Sequence, residues 1–194
     1  MKRTAFLLAI LIAGATSAAA QSTEFGVLIG GSKRVIDDNP IAAGTQGADD
    51  GFSLSNQSLS VYYGFELDPG TMFKIKVGRI ESPIGFLSEE IQGPNIVEVR
   101  RDVDGEVQHV AGIIEYRFSE IFGSTGIFGG VGAYRHEADD GSISATDYGF
   151  TAGITGDFPM TRRYAVILEA AYHWTKHDFN PNYFTLSGGL RIGF

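Results

Sequence analysis

The chain has 194 residues, with 26 Gly, 6 Pro, no Cys, 12% aromatics and 23 acidic against 15 basic side chains. This fits one domain of the all-β class. The lack of Cys excludes a disulfide scaffold, the acidic excess argues against nucleic acid and against a polybasic membrane-surface patch, and no stretch reaches the roughly 20 unbroken apolar residues of a membrane-spanning helix.

The amino end has a separate character. Lys2 and Arg3 precede an apolar run from Ala5 to Ala13, and Ala18-Ala19-Ala20 offers small residues for cleavage. Residues 1–20 are therefore read as a secretory signal peptide cut before Gln21, leaving 21–194 as the exported domain. Removing Lys2 and Arg3 deepens the net charge from −8 to −10. No Cys follows the cleavage site to take a lipid anchor.

From there the chain alternates. Glu24–Ser32 puts Phe25, Val27 and Ile29 on one side, and a loop rich in Asp, Gly, Asn and Pro follows from Lys33 to Phe52. Gln57–Leu67 sets Leu59, Val61, Tyr63, Phe65 and Leu67 against Ser58, Ser60, Tyr62, Gly64 and Glu66; Asp68-Pro69-Gly70 is a tight turn. Thr71–Ile80 separates Phe73, Ile75 and Val77 from Lys74, Lys76 and Gly78. A long segment runs from Glu81 to Val107, and Gln108–Phe118 then sets Val110, Ile114, Tyr116 and Phe118 against His109, Glu115 and Arg117. Gly126–His136 is a fifth strand whose four early glycines leave its facing open. Asp147–Phe158, Tyr164–Trp174 and Tyr183–Phe194 complete the set, the last with Phe184, Leu186, Leu190, Ile192 and Phe194 opposite Thr185, Ser187, Gly189, Arg191 and Gly193.

Two regularities connect these eight strands. Connections alternate long and short, and all six prolines fall in connections. That rhythm predicts an eight-stranded antiparallel up-and-down barrel with short turns on one rim and long loops on the other. The polar faces collect Glu66, Glu115, Asp157 and Glu169 with Lys74, Lys76, Arg117 and Arg191. A balanced set of this kind pairs inside a narrow barrel, where an unpaired charge is costly. The apolar faces carry Phe25, Phe65, Phe73, Tyr116, Phe118, Phe158, Tyr164 and Phe194 toward the short turns, and Tyr148, Phe150, Tyr172, Trp174 and Phe184 toward the long loops. Two aromatic rings favour a barrel facing lipid over a soluble lipocalin-like barrel that buries its apolar face around a ligand.

The leader, the eight alternating strands, the Gly-rich GIFGGVGAYRH and the terminal Phe resemble the small outer-membrane β-barrel proteins of Gram-negative bacteria, the OmpA-barrel and OmpX-like group. Ser187, Gly189, Ile192 and Phe194 are similar to that group's C-terminal assembly signal. The resemblance implies short periplasmic turns, long extracellular loops, an outer-membrane location and insertion by the barrel assembly machinery. It also implies surroundings of outer-membrane lipid and lipopolysaccharide, and a structural, adhesive or surface-interaction role without a bulk channel. A lipid A deacylase-type enzyme and a narrow porin stand as alternatives.

Candidate chemistry is sparse, and no cofactor is expected. His173-Trp174-Thr175 is similar to the His-x-Ser pair of outer-membrane lipid A deacylases, but Thr replaces Ser and the final strand has no acid to orient the base, so His173 is read as a hydrogen-bonded rim residue. Asp49-Asp50-Gly51, Asp102-Val103-Asp104-Gly105 and Asp139-Asp140-Gly141 suit tight turns first and weak divalent cations second. His136, His173 and His177 are candidates to meet at the loop rim. Within 81–107, Ile96–Arg101 and Glu106–Val110 flank Asp-Val-Asp-Gly and predict a hairpin rising above the barrel. Its exposed edge either recruits a surface protein partner by strand addition or shields the barrel mouth.

Overall fold

The computed structural model describes residues 22–35, 53–82, 84–92, 95–120, 123–139, 141, 144–176 and 182–194. The predicted signal peptide, the Asp49-Asp50-Gly51 cluster and His177 lie outside the described residues. The described residues form ten strands: β1 Thr23–Val35, β2 Ser53–Asp68, β3 Thr71–Glu81, β4 Ile84–Gln92, β5 Asn95–Val103, β6 Gly105–Glu120, β7 Gly123–Ala138, β8 Ser144–Pro159, β9 Tyr164–Thr175 and β10 Asn182–Gly193. Eight of them close into an antiparallel barrel in the order β1-β10-β9-β8-β7-β6-β3-β2. The seam between first and last strands runs from Glu24 opposite Gly193 to Val35 opposite Asn182.

The alternation that defines the strands also sorts their side chains. Along β9, Ala165, Ile167, Glu169, Ala171, His173 and Thr175 are buried inside, while Leu168 and Trp174 point out. The exterior is apolar and the interior largely polar, the reverse of a water-soluble domain and the expected arrangement of a barrel in lipid. Phe25, Tyr116, Phe118, Phe158, Tyr164 and Phe194 ring the short-turn end on the outside, and Tyr148, Phe150 and Trp174 ring the other. The fifth barrel strand, β7, resolves its facing: Phe128, Tyr134 and His136 are inward, and Ile127 and Val131 are outward.

Interior glycines make room for large rings. A Cβ on Gly149 would overlap the Tyr134 ring, and one on Gly153 would overlap Phe128. At the rims backbone geometry decides instead. Gly70 (φ 84°) closes the Asp68–Thr71 turn, and Gly141 (φ 73°) sits where its N–H donates to the Ala138 carbonyl at 2.9 Å. Turn chemistry therefore accounts for the Asp139-Asp140-Gly141 glycine.

Strands β2, β6, β7 and β8 are 16 residues long, beyond the 9 to 12 expected from the alternating apolar stretches. Polar residues past the apolar band go on pairing: Gly105–Gln108 matches Arg135–Ala138 rung by rung. The ladder needs backbone donors and acceptors, and side-chain hydropathy does not end it.

The hairpin in 81–107 exists with different arms from those predicted. β5 pairs with β4, from Ile84 opposite Val103 to Gln92 opposite Asn95. Glu106–Val110 instead belongs to β6, held in the barrel by β3 and β7. Asp104 is the junction between hairpin and barrel, its carbonyl accepting the Asp139 N–H at 2.9 Å. Among the described residues β4 and β5 pair only with each other, and β4 approaches β7 near the long-loop rim.

Candidate functional site

The densest chemistry lies inside the barrel near its short-turn end. Inward positions of β1, β3, β6, β8 and β10 bring together Glu24, Lys74, Glu115, Arg117, Asp157 and Arg191. Glu24 is the shared acceptor: Arg117 donates to both of its oxygens at 2.6 and 2.8 Å, and Lys74 and Arg191 each approach at 3.5 Å. Glu115 takes Lys74 at 2.6 Å, Arg117 at 2.8 Å and the Thr155 hydroxyl at 2.5 Å. Asp157 takes the Arg191 Nε at 2.8 Å. Three carboxylates and three cations thus form one neutral cluster, its carboxylates and Lys74 buried and Arg117 and Arg191 partly open to the short-turn mouth, in which each charge has more than one partner. Such saturation is what makes buried charge tolerable.

Farther along the axis, Lys76 pairs with Glu169 as a separate buried unit. Seven of the eight residues expected in the interior set are therefore placed in ion pairs, and Glu66 is not. It sits at the rim, accepting the Ser22 hydroxyl at 2.6 Å and donating its N–H to the Ser22 carbonyl. Two residues on, the β2–β3 register shifts between Glu66 and Asp68 as the chain enters its turn, so Glu66 stops short of the enclosed interior. Glu24 takes its place. Sequence reasoning missed Glu24 although it shares the alternation of Phe25, Val27 and Ile29 on the opposite face; that phase was the available signal.

Above the ion pairs lies a histidine–tyrosine layer. His173 is 2% exposed, with Nδ1 3.0 Å from the Tyr134 hydroxyl and Nε2 3.4 Å from the Thr185 hydroxyl. His109 stacks on Tyr134 at 5.6 Å between ring centroids and leans on His173 at 5.3 Å. His136 faces the Tyr183 hydroxyl at 3.4 Å through Nδ1. Among the described residues neither ring nitrogen of His109 has a protein hydrogen-bond partner, and the ring lines a void of about 10 Å³ beside Ser60, Lys76, Glu169, His173 and Ser187. That is room for one water with several polar partners.

This geometry bears on the catalytic candidates. Thr175 is the last residue of β9 rather than a residue beyond it, and it is buried inside with His173. His173 is committed to Tyr134 and Thr185, and both candidates face the lumen while acyl chains would contact the outer wall. Among the described residues, no group of three or more His, Asp or Glu is placed to hold a metal ion.

The second void, about 410 Å³, is an open mouth at the short-turn rim lined by Glu24, Glu66, Arg117, Arg162, Arg163 and Arg191. The ion-pair cluster forms its floor. Of the terminal residues, Ser187 is inward and meets the Ser58 hydroxyl at 3.1 Å. Gly189 is packed against the Val27 backbone across the seam, Ile192 is half-buried, and Phe194 is outward with its N–H on the Thr23 carbonyl at 2.8 Å.

Solved structures share this architecture. Neisserial surface protein A aligns over 91% of this chain and 98% of its own, with a TM-score of 0.55 and 12% identity. The N-terminal β-barrel domain of Pseudomonas aeruginosa OprF aligns over 89% and 97%, at 0.52 and 9%. Ail, the attachment invasion locus protein of Yersinia pestis, aligns over 91% and 100%, at 0.50 and 14%. Identities this low show the fold alone. No curated protein matches the chain. The family described as outer membrane protein beta-barrel domain matches residues 6–191, nearly the whole length, and the chain belongs to that family.

Proposed function

We propose that this barrel is an outer-membrane anchor that presents the β4–β5 hairpin outside the cell, where an unpaired strand edge receives an extended segment of a partner protein. The observation that carries the proposal is the hairpin itself: nine residues in each arm, paired to each other and to no barrel strand among the described residues. Unsatisfied N–H and C=O groups along a strand edge are a template for strand addition. The filled lumen supports a role without bulk diffusion, since among the described residues buried ion pairs and a layer of histidine and tyrosine rings fill the bore above the short-turn mouth. The names surface protein and attachment invasion locus protein, carried by two similar structures, agree with contact at the cell surface. Residues 1–20 serve export in this account, and Ser187, Gly189, Ile192 and Phe194 serve insertion by the assembly machinery.

The hairpin can be removed cleanly. The Ser82 N–H donates to the Gly105 carbonyl at 3.0 Å, so both ends of the excised segment already lie side by side. Replacing 83–104 with Asn-Gly supplies the two-residue turn such a rung accepts. Wild-type and excised proteins are expressed at equal outer-membrane levels in a non-adherent Gram-negative host, and attachment to epithelial cells is counted. The expected result is adhesion by the wild type that the excised barrel lacks; equal attachment by both sinks the proposal.

A further inference from the structure

Outside the lumen, charged residues form two rows across β3, β6 and β7. Arg79 lies opposite Gln108, which lies opposite Arg135; two residues farther out, Glu81 lies opposite Glu106, which lies opposite Glu137. Their chain neighbours Ile80, Val107 and His136 are buried inside, so alternation turns both rows outward. On the other side of the arginine row come Val77, Val110 and Ala133, the last row of the apolar wall.

The height of the arginine row follows from strand geometry. Gln108 is ten residues from the girdle residue Phe118, or about 33 Å along the strand and about 25 Å along the axis at a tilt near 40°. That equals the usual apolar band, so Arg79 and Arg135 sit where hydrocarbon gives way to headgroups. Tyr148, a girdle residue opposite Ala133, adds a third cation by holding the Lys176 ammonium 5.1 Å from its ring centroid.

The fold does not require this arrangement. Like charges directly opposite across strands are destabilising, and three glutamates stand in one row. Among the described residues the arginines offset them through contacts of 3.5 Å (Arg79–Glu81), 3.9 Å (Arg79–Glu106) and 3.3 Å (Arg135–Glu137), with both arginine side chains about half exposed, and the Gln108 amide donates to Glu106 at 2.5 Å. Exposed pairs of this kind contribute little, so the guanidinium forks stay available to a better acceptor. A phosphate is the acceptor they fit, bidentately. The glutamate row lies between the arginines and water and repels a free anion coming from that side.

We propose that Arg79 and Arg135, with Gln108 between them, form a binding site for the phosphate of a lipid headgroup in the outer leaflet, approached from the membrane side. Two arginines on alternate strands stand about 10 Å apart, enough for one headgroup to engage both.

The test is native mass spectrometry of the full mature barrel released from detergent micelles, supplied with bisphosphorylated lipid A, the same lipid stripped of phosphate, or inorganic phosphate. Wild-type protein is expected to retain the phosphorylated lipid roughly tenfold better than the stripped one, the value of about one charge-assisted contact. Arg79→Gln/Arg135→Gln is expected to lose that preference while keeping the folded barrel's gel mobility before heating. Equal retention of both lipids by the wild type overturns the proposal without any variant, and an undiminished preference in the double variant overturns it equally. Retention of inorganic phosphate as strong as that of the phosphorylated lipid overturns the membrane-side source.

Discussion

Glu24 is shared by three cations of the interior, because Lys74, Arg117 and Arg191 all use it as an acceptor. Glu24→Gln leaves three cations, Lys74 buried and Arg117 and Arg191 partly so, sharing two carboxylates. Breaking a buried pair from one side costs about 3–5 kcal/mol. Glu66→Gln, at the rim, falls within about 0.5 kcal/mol of the wild type. Urea unfolding of the barrel refolded into phospholipid vesicles separates them, and equal midpoints would contradict the assignment of Glu24 to the centre. The sequence ranks these two acids alike, since both occupy inward positions of alternating strands. Depth distinguishes them, and depth depends on where the turn begins and which strands lie alongside. His109 is a parallel case: its inward phase was legible in His109, Glu115 and Arg117, whereas its stacking on Tyr134 and His173 depends on the stagger of β6, β7 and β9.

At the scale of elements, the barrel depends on the seam between β1 and β10, the pair most distant in sequence. Gly189 faces inward there with its Cα close to the backbone of Val27 and Leu28, and any Cβ would overlap the Val27 carbonyl. Gly189→Val forces the strands apart, and deleting Phe194 removes both the rung to Thr23 and a girdle ring. Either change is expected to lower the fraction of protein reaching the outer membrane as a folded, heat-shiftable barrel; wild-type levels in both would contradict a seam-limited assembly. The hairpin shows where element-level inference from sequence fails. Asp-Val-Asp-Gly is a strong turn signal, but turn chemistry does not name the strands on either side. β4 contains Gly85 and Ser88-Glu89-Glu90 and lacks the long apolar alternation of the barrel strands, so it passes for loop. The pairing of β4 with β5 decided the matter instead.

For the whole molecule, the barrel class and strand number were legible because one physical requirement repeats eight times: an apolar wall outside, a polar filling inside and reversals of alternating length. The rest depended on closure. Once the strands curl into an eight-membered ring, inward side chains are close enough to complete one another's charges and fill the bore. Conductance tests that packing most directly. Purified protein reconstituted in a planar bilayer in molar KCl is expected to give no sustained open level, because the neutral cluster of Glu24, Lys74, Glu115, Arg117, Asp157 and Arg191 and the Lys76–Glu169 pair occupy the axis. A steady conductance present in the wild type would contradict a closed anchor and restore the narrow porin.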